Sequence, residues 1–257
     1  MALIQTSTVP IWIADGRTKP DQPALVLTHG AGGSRLQWPG ALRRLPGVGV
    51  IAIDLPGHGK SPAPSRDSIP AYAADVVALL DALHVERAIF GGHSMGGGIA
   101  LWLALEHPAR VAGLMLVGTG AKLAVHPDLL RDTRDNPEQA ARTMVEWMWS
   151  DDAPTDLRQK HYEALVSLPS GVLYDDFSAC NVFDVRERLF EIHAPTLIVG
   201  GTRDRMTPPR YSTYLQEHIA GAELVLLETA HMLMLEQPDA VGEAVRTWLQ
   251  NRNSLLT

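Results

Sequence analysis

The sequence predicts an α/β fold, a mostly parallel sheet flanked by helices with a helical cap inserted between two strands. Three observations carry that reading. Short apolar runs without polar alternation, such as residues 24–28, 48–54 and 111–117, fit strands buried on both faces. These runs alternate with segments of helical periodicity, as strand–helix–strand units do. From residue 121 to about 190 no convincing buried strand occurs, and helical segments fill the gap.

Taken in order, residues 1–22 suggest one or two leading strands, the better candidate at 9–14, with Asp15-Gly16 as a turn. The strand at 24–28 runs into His29-Gly30-Ala31-Gly32-Gly33-Ser34. A weak helix at 40–45 precedes the strand at 48–54, and residues 62–70 read as loop. Val76, Leu79, Leu80 and Leu83 give residues 71–83 a helical stripe. A strand at 88–91, a helix at 95–106 and a strand at 111–117 follow. The insertion holds helices at 128–135, 137–149, 155–168 and 184–190, with Pro137 and Pro154 placed as helix starts. Alternation resumes with strands at 196–200 and 223–227 and helices at 209–219 and 238–251. The implied division is a core of residues 1–120 and 191–257 and a cap of residues 121–190.

The chain is organised around Gly92-His93-Ser94-Met95-Gly96, a G-x-S-x-G between a strand and a helix. In such an elbow the serine sits on a strained turn with its hydroxyl exposed, and crowding leaves no room for a Cβ two residues away on either side. A serine hydroxyl needs a contacting base, itself oriented by a third group. Residues at the carboxyl ends of parallel strands share one edge of the sheet. His231 follows the strand at 223–227 and Asp204 follows the strand at 196–200, so both belong to the edge that carries Ser94. Two backbone N–H groups could receive negative charge there. One is Met95, at the positive end of its helix, and the other is Ala31, in the glycine-rich loop.

Together these motifs resemble the α/β-hydrolase-fold serine hydrolases, carboxylesterases in particular, over nearly the whole chain. The residues are His29-Gly30 with its following glycines, Asp54-Leu-Pro-Gly-His-Gly-Lys-Ser61, the Ser94 elbow, Gly201-Thr-Arg-Asp204 and His231-Met-Leu-Met-Leu-Glu-Gln-Pro238. The resemblance implies Ser94 as nucleophile, His231 as base and Asp204 as acid, in the family's chain order, with Ala31 and Met95 lending oxyanion amides. Ala230 departs from the glycine often found before the histidine. The family's alternative acid position, after the strand at 111–117, holds Gly118-Thr-Gly120 and no carboxylate. Asp175, Asp176 and Asp184 are the rival acids inside the insertion.

Among the remaining residues, His29 and His58 read as loop anchors, and the side chain of His93 should point away from that of Ser94. Asp54 is expected to satisfy nearby backbone donors. Trp147 and Trp149 are the candidates for substrate binding, although consecutive residues cannot all face one way. Cys180, the single cysteine, reads as packed and excludes an intrachain disulfide framework. A net charge of −7 without a basic run argues against nucleic acid. Neither a leader-like N-terminus nor an apolar membrane stretch occurs, so a cytoplasmic protein off the membrane is expected. No metal or cofactor motif is present; the oligomeric state stays open. The expected activity is hydrolysis of a small-molecule ester, with a lactone or enol-lactone as alternative. A catalytically silent ligand receptor on the same fold is the competing class.

Overall fold

A strand covered on both faces cannot alternate apolar with polar residues, and the central strands here do not. The computed structural model describes residues 1–19, 22–62 and 64–252. Residue 63, within the expected loop at 62–70, and residues 20 and 21, beside the leading strands, lie outside the described residues. Both leading strands exist, β1 (Ala2–Ile4) and β2 (Ile11–Asp15). Next come β3 (Ala24–Thr28), α1 (Gly40–Arg43), β4 (Gly49–Asp54), α2 (Ile69–Ala82), β5 (Ala88–His93), α3 (Met95–Glu106) and β6 (Val111–Val117). The insertion contains α4 (Pro127–Asp135), α5 (Pro137–Met148), α6 (Thr155–Val166) and α7 (Val172–Asn181). The chain closes with β7 (Thr196–Gly201), α8 (Pro209–His218), β8 (Glu223–Leu227), α9 (Leu233–Glu236) and α10 (Pro238–Gln250).

The eight strands form one sheet in the order β1-β2-β4-β3-β5-β6-β7-β8. Pairing is antiparallel at β1–β2 and β2–β4 and parallel from β4 through β8. β3 lies between β4 and β5, so the winding reverses there, and ligands of such sheets bind at the carboxyl ends beside the reversal. Thr28 pairs with Gly92 and His93 with Val117, so the strand ends around Ser94 lie level.

Side chains alternate across a strand. Val26, Ile51, Ile53, Phe90, Leu114 and Leu116 face the layer built by α2, α3 and α8. Leu25, Leu27, Val50, Ala52, Ile89 and Met115 face α1 and α10. Buried residues of the insertion, among them Leu129, Met144 and Phe177, join the first of these cores.

Two helices were not expected from the sequence. In α7, Gly171 caps the start at φ 88°, and Asp175, Asp176 and Asn181 dilute the helical signal. Val172, Leu173, Phe177 and Cys180 still bury one side of it. The short α9 follows directly on His231. The helix expected at 184–190 is instead a 3₁₀ segment, Arg186–Glu191, in which only Leu189 is buried. Charged residues dominate there, and a single anchor cannot hold a longer helix. No described helix is long and apolar enough to cross a membrane.

Candidate active site

Ser94 follows β5 directly, with φ 52° and ψ −116°, and caps α3. His84 is the other non-glycine residue at positive φ among the described residues. Such strain persists only where neighbours over-determine it. Here the Ser94 amide donates to the Val117 carbonyl at 3.0 Å, and the Ser94 carbonyl accepts from Thr119 Oγ1 at 2.7 Å and the Gly97 amide at 2.9 Å. A Cβ on Gly92 would run into the Gly96 carbonyl, and one on Gly96 would lie 2.5 Å from the Thr28 carbonyl oxygen. Those contacts explain the two glycines of the motif.

Asp204 and His231 meet on the same edge, Asp204 beyond β7 and His231 beyond β8. Asp204 Oδ2 accepts from His231 Nδ1 at 2.8 Å and from Thr207 Oγ1 at 2.7 Å. Its Oδ1 accepts from the Met206 and Thr207 amides, each at 2.8 Å. Four donors thus fix a carboxylate whose side chain is fully buried. A proton on Nδ1 leaves Nε2 of a neutral imidazole as the basic nitrogen. Ser94 and His231 line one pocket, with no hydrogen bond between them within 3.5 Å. Such contacts commonly tighten only when substrate binds.

Residues around His231 hold it from two sides. His93 Nε2 donates to the His231 carbonyl at 3.0 Å, and the two rings sit 4.6 Å apart between centroids. That contact was not foreseen, because an x position in the elbow carries no sequence signal for it. Burial, reinforced by His231, holds His93 well below the usual histidine range. From the insertion, Met148 accepts from the Met232 amide at 3.1 Å. Glu236 takes the Ser150 amide at 2.8 Å and the Ser150 hydroxyl at 2.6 Å. Both flanks of His231 are therefore tied to residues 148–150.

Ala31 and Met95 stand beside the serine, Ala31 on the pocket wall and Met95 at the first position of α3. Neither amide hydrogen is taken up by a hydrogen bond among the described residues. The loop carrying Ala31 is anchored on either side. His29 Nδ1 donates to the Gly30 carbonyl at 2.8 Å, and its Nε2 accepts from the Leu55 amide at 3.0 Å. Burial, with the neighbouring His58, lowers the His29 pKa to about 4. Asp54 accepts from the Arg35 and Lys60 amides at 2.8 and 3.0 Å and pairs with the Arg35 guanidinium.

The rival carboxylates are engaged elsewhere. Asp176 accepts from the Gly32 amide at 2.7 Å, Tyr72 Oη at 2.6 Å and His58 Nε2 at 2.8 Å. His58 Nδ1 also meets the Pro56 carbonyl, so both ring nitrogens donate and the ring is an imidazolium. Burial alone would lower the His58 pKa, but the Asp176 charge and hydrogen bond outweigh it and raise it. Asp175 bonds Ser65 Oγ at 2.5 Å, and Asp184 pairs with Lys122 and Arg186.

Above Ser94 and His231 lies a cavity of about 520 Å³ between the strand ends and the insertion. Trp147 lines it and packs edge-on against His126. Trp149 does not line it. Two positions along the chain, its buried ring turns inward and donates from Nε1 to His161 Nδ1 at 2.8 Å. Cys180 is buried and lines the cavity; burial pushes its thiol pKa well up, so it stays protonated.

Known proteins share this arrangement of the chain. It is 31% identical over 258 residues to a pimeloyl-[acyl-carrier protein] methyl ester esterase of Neisseria meningitidis, covering 91% of this chain and 96% of the relative. It is 30% identical over 246 residues to 3-oxoadipate enol-lactonase 2 of Acinetobacter baylyi, covering 91% of each. The crystal structure of the enol-lactonase from Burkholderia xenovorans LB400 superposes with a TM-score of 0.89 at 25% identity, over 95% of this chain and 98% of that one. A family model described as the alpha/beta hydrolase fold matches residues 23–161. The chain therefore belongs to the α/β hydrolase fold family.

Proposed function

We propose that this hydrolase cleaves carboxylic esters through an acyl-enzyme on Ser94, with His231 as base and Asp204 as acid. The observation that carries the reading is the four-donor clamp on Asp204, which holds His231 Nδ1 beside the cavity that also exposes Ser94. Ser94 Oγ attacks the acyl carbon while His231 Nε2 takes its proton. The amides of Ala31 and Met95 receive the negative charge on the former carbonyl oxygen. Collapse breaks the carbon–oxygen bond, and His231 returns the proton to the leaving alcohol. Water then attacks the acyl-enzyme, giving its proton to His231, and the acid departs as Ser94 is regenerated.

In this reading residues 121–190 act as the cap and Trp147 as part of the acyl wall. Cyclic esters are the second reading, because enol-lactonases stand beside the esterase at similar identity. The same steps open a lactone, with the alcohol remaining tethered. Turnover of a p-nitrophenyl ester panel and a lactone panel, each repeated with Ser94→Ala, tests both. Absence of turnover by the folded wild-type protein on either panel would leave the silent receptor in place.

A further inference from the structure

The geometry points to an ester whose acyl chain ends in a carboxylate, held by Arg210 with help from Arg205. The inference rests on the ester-hydrolase reading of the same cavity. Leu129, Met144, Trp147 and Phe177 make much of its wall apolar. Arg205 and Arg210 interrupt that wall, and among the described residues no Asp or Glu lines it. The chain as a whole has 29 acidic residues against 22 lysines and arginines, so a cavity wall charged only by arginine runs against the bulk composition.

Neither arginine is needed by the fold. Arg210 is exposed, and among the described residues its guanidinium meets no carboxylate, lying instead 5.3 Å from the Tyr211 ring centroid. It sits in the first turn of α8, where a cation opposes the helix dipole. Arg205 reaches Glu146 only at 4.0 Å, and both side chains are more than half exposed. A pair of that kind contributes little to stability and releases its arginine readily. A guanidinium matches a carboxylate in a two-bond fork, stronger than a neutral hydrogen bond. The acyl part stays covalently attached through both chemical steps, so a charge at its far end is held throughout turnover. An apolar wall that also carries two arginines thus suits methylenes that end in an anion.

The experiment compares monomethyl esters of linear dicarboxylic acids with methyl esters of alkanoic acids of matched length, read by proton release. We expect wild type to favour the acid-ended series in kcat/KM and to lose that preference as salt rises. Arg210→Gln should lower the ratio of acid-ended to neutral kcat/KM about tenfold, near the low end for a charged hydrogen bond. Arg210→Lys should retain part of it, since charge remains but the fork is lost. Circular dichroism and melting keep folding separate from specificity. Turnover of the neutral series without preference for the acids, or a ratio unmoved by Arg210→Gln, overturns the proposal and leaves the hydrolase reading standing. Turnover of neither series overturns both.

Discussion

Ser150 and Glu236 share two hydrogen bonds, 2.8 Å from the amide and 2.6 Å from the hydroxyl, although 86 residues separate them. Glu236 Oε2 also accepts from the Ala230 amide at 3.1 Å, so one carboxylate joins the insertion to the residue before His231. The cavity roof and the proposed base are thereby mechanically linked.

Glu236→Gln replaces one acceptor oxygen by a donor that faces the Ser150 hydroxyl and the Ala230 amide. The expected outcome is a fall in kcat of about tenfold with KM within about twofold, since modest misplacement of a base costs on this order. Glu236→Asp should recover less than half of the loss, because the shorter side chain cannot span both partners. Steady-state kinetics with parallel melting curves check it; a loss of stability with kcat intact would reduce Glu236 to a structural tie.

Ser94→Ala should remove essentially all hydrolysis while leaving a residual acceleration of roughly 10³ to 10⁴ over water. Asp204→Asn should lower kcat on the order of 10⁴, because an amide can donate to the ring and select the wrong tautomer. Asp175→Asn and Asp184→Asn should stay within about tenfold of wild type, the range left to residues outside the reacting set. Asp176→Asn differs, since it strands the buried His58 charge and should cost about 3 to 5 kcal/mol of stability. Kinetics and denaturant unfolding on all five variants separate these outcomes.

Acid should weaken the fold before carboxylates titrate. Burial lowers both His29 and His161 from 6.5 to about 4, the former helped by His58 and the latter by His231. Between those values the unfolded chain binds protons that the native state refuses, so stability falls as pH drops from 6.5 toward 4. Each such histidine contributes about 1.4 kcal/mol per pH unit to the slope. His58 has the opposite sign: its raised pKa gives stability that is fully present below the unfolded value and is lost as pH rises through the folded one. Urea unfolding across this pH range should show the acid slope, and His161→Gln should flatten it by one proton's worth. A wild-type slope unchanged in that variant would place the titration elsewhere.

Trp147→Ala should change the ranking of acyl chain lengths, at roughly 1 to 3 kcal/mol per methylene-scale contact. Trp149→Ala should leave that ranking alone and destabilise the protein by about 3 to 5 kcal/mol, as emptying a buried aromatic site does. Chain-length profiles and melting temperatures for both variants are the measurement. A shifted profile from Trp149→Ala would put that ring back on the substrate.

The sequence by itself determined where the central strands lie along the chain, because periodicity and burial are local properties of a run such as residues 24–28. It determined the elbow as well, since Gly92 and Gly96 answer to steric contacts that the motif spacing encodes. It also placed Ser94, Asp204 and His231 on one edge, because strand ends in a parallel sheet share an edge. Only tertiary structure decided which way neighbouring side chains turn. Trp147 and Trp149 are equivalent in composition, yet one lines the cavity and the other bonds His161, because Trp147 lies inside α5 and Trp149 in extended backbone just past its end. Asp176 and Asp204 are the same residue type, yet one completes the His58 network and the other holds His231. The pairing of Ser150 with Glu236, and of His93 with the His231 carbonyl, joins segments far apart in the chain. No local pattern records such a contact, because its energy exists only after the sheet and the insertion have packed together.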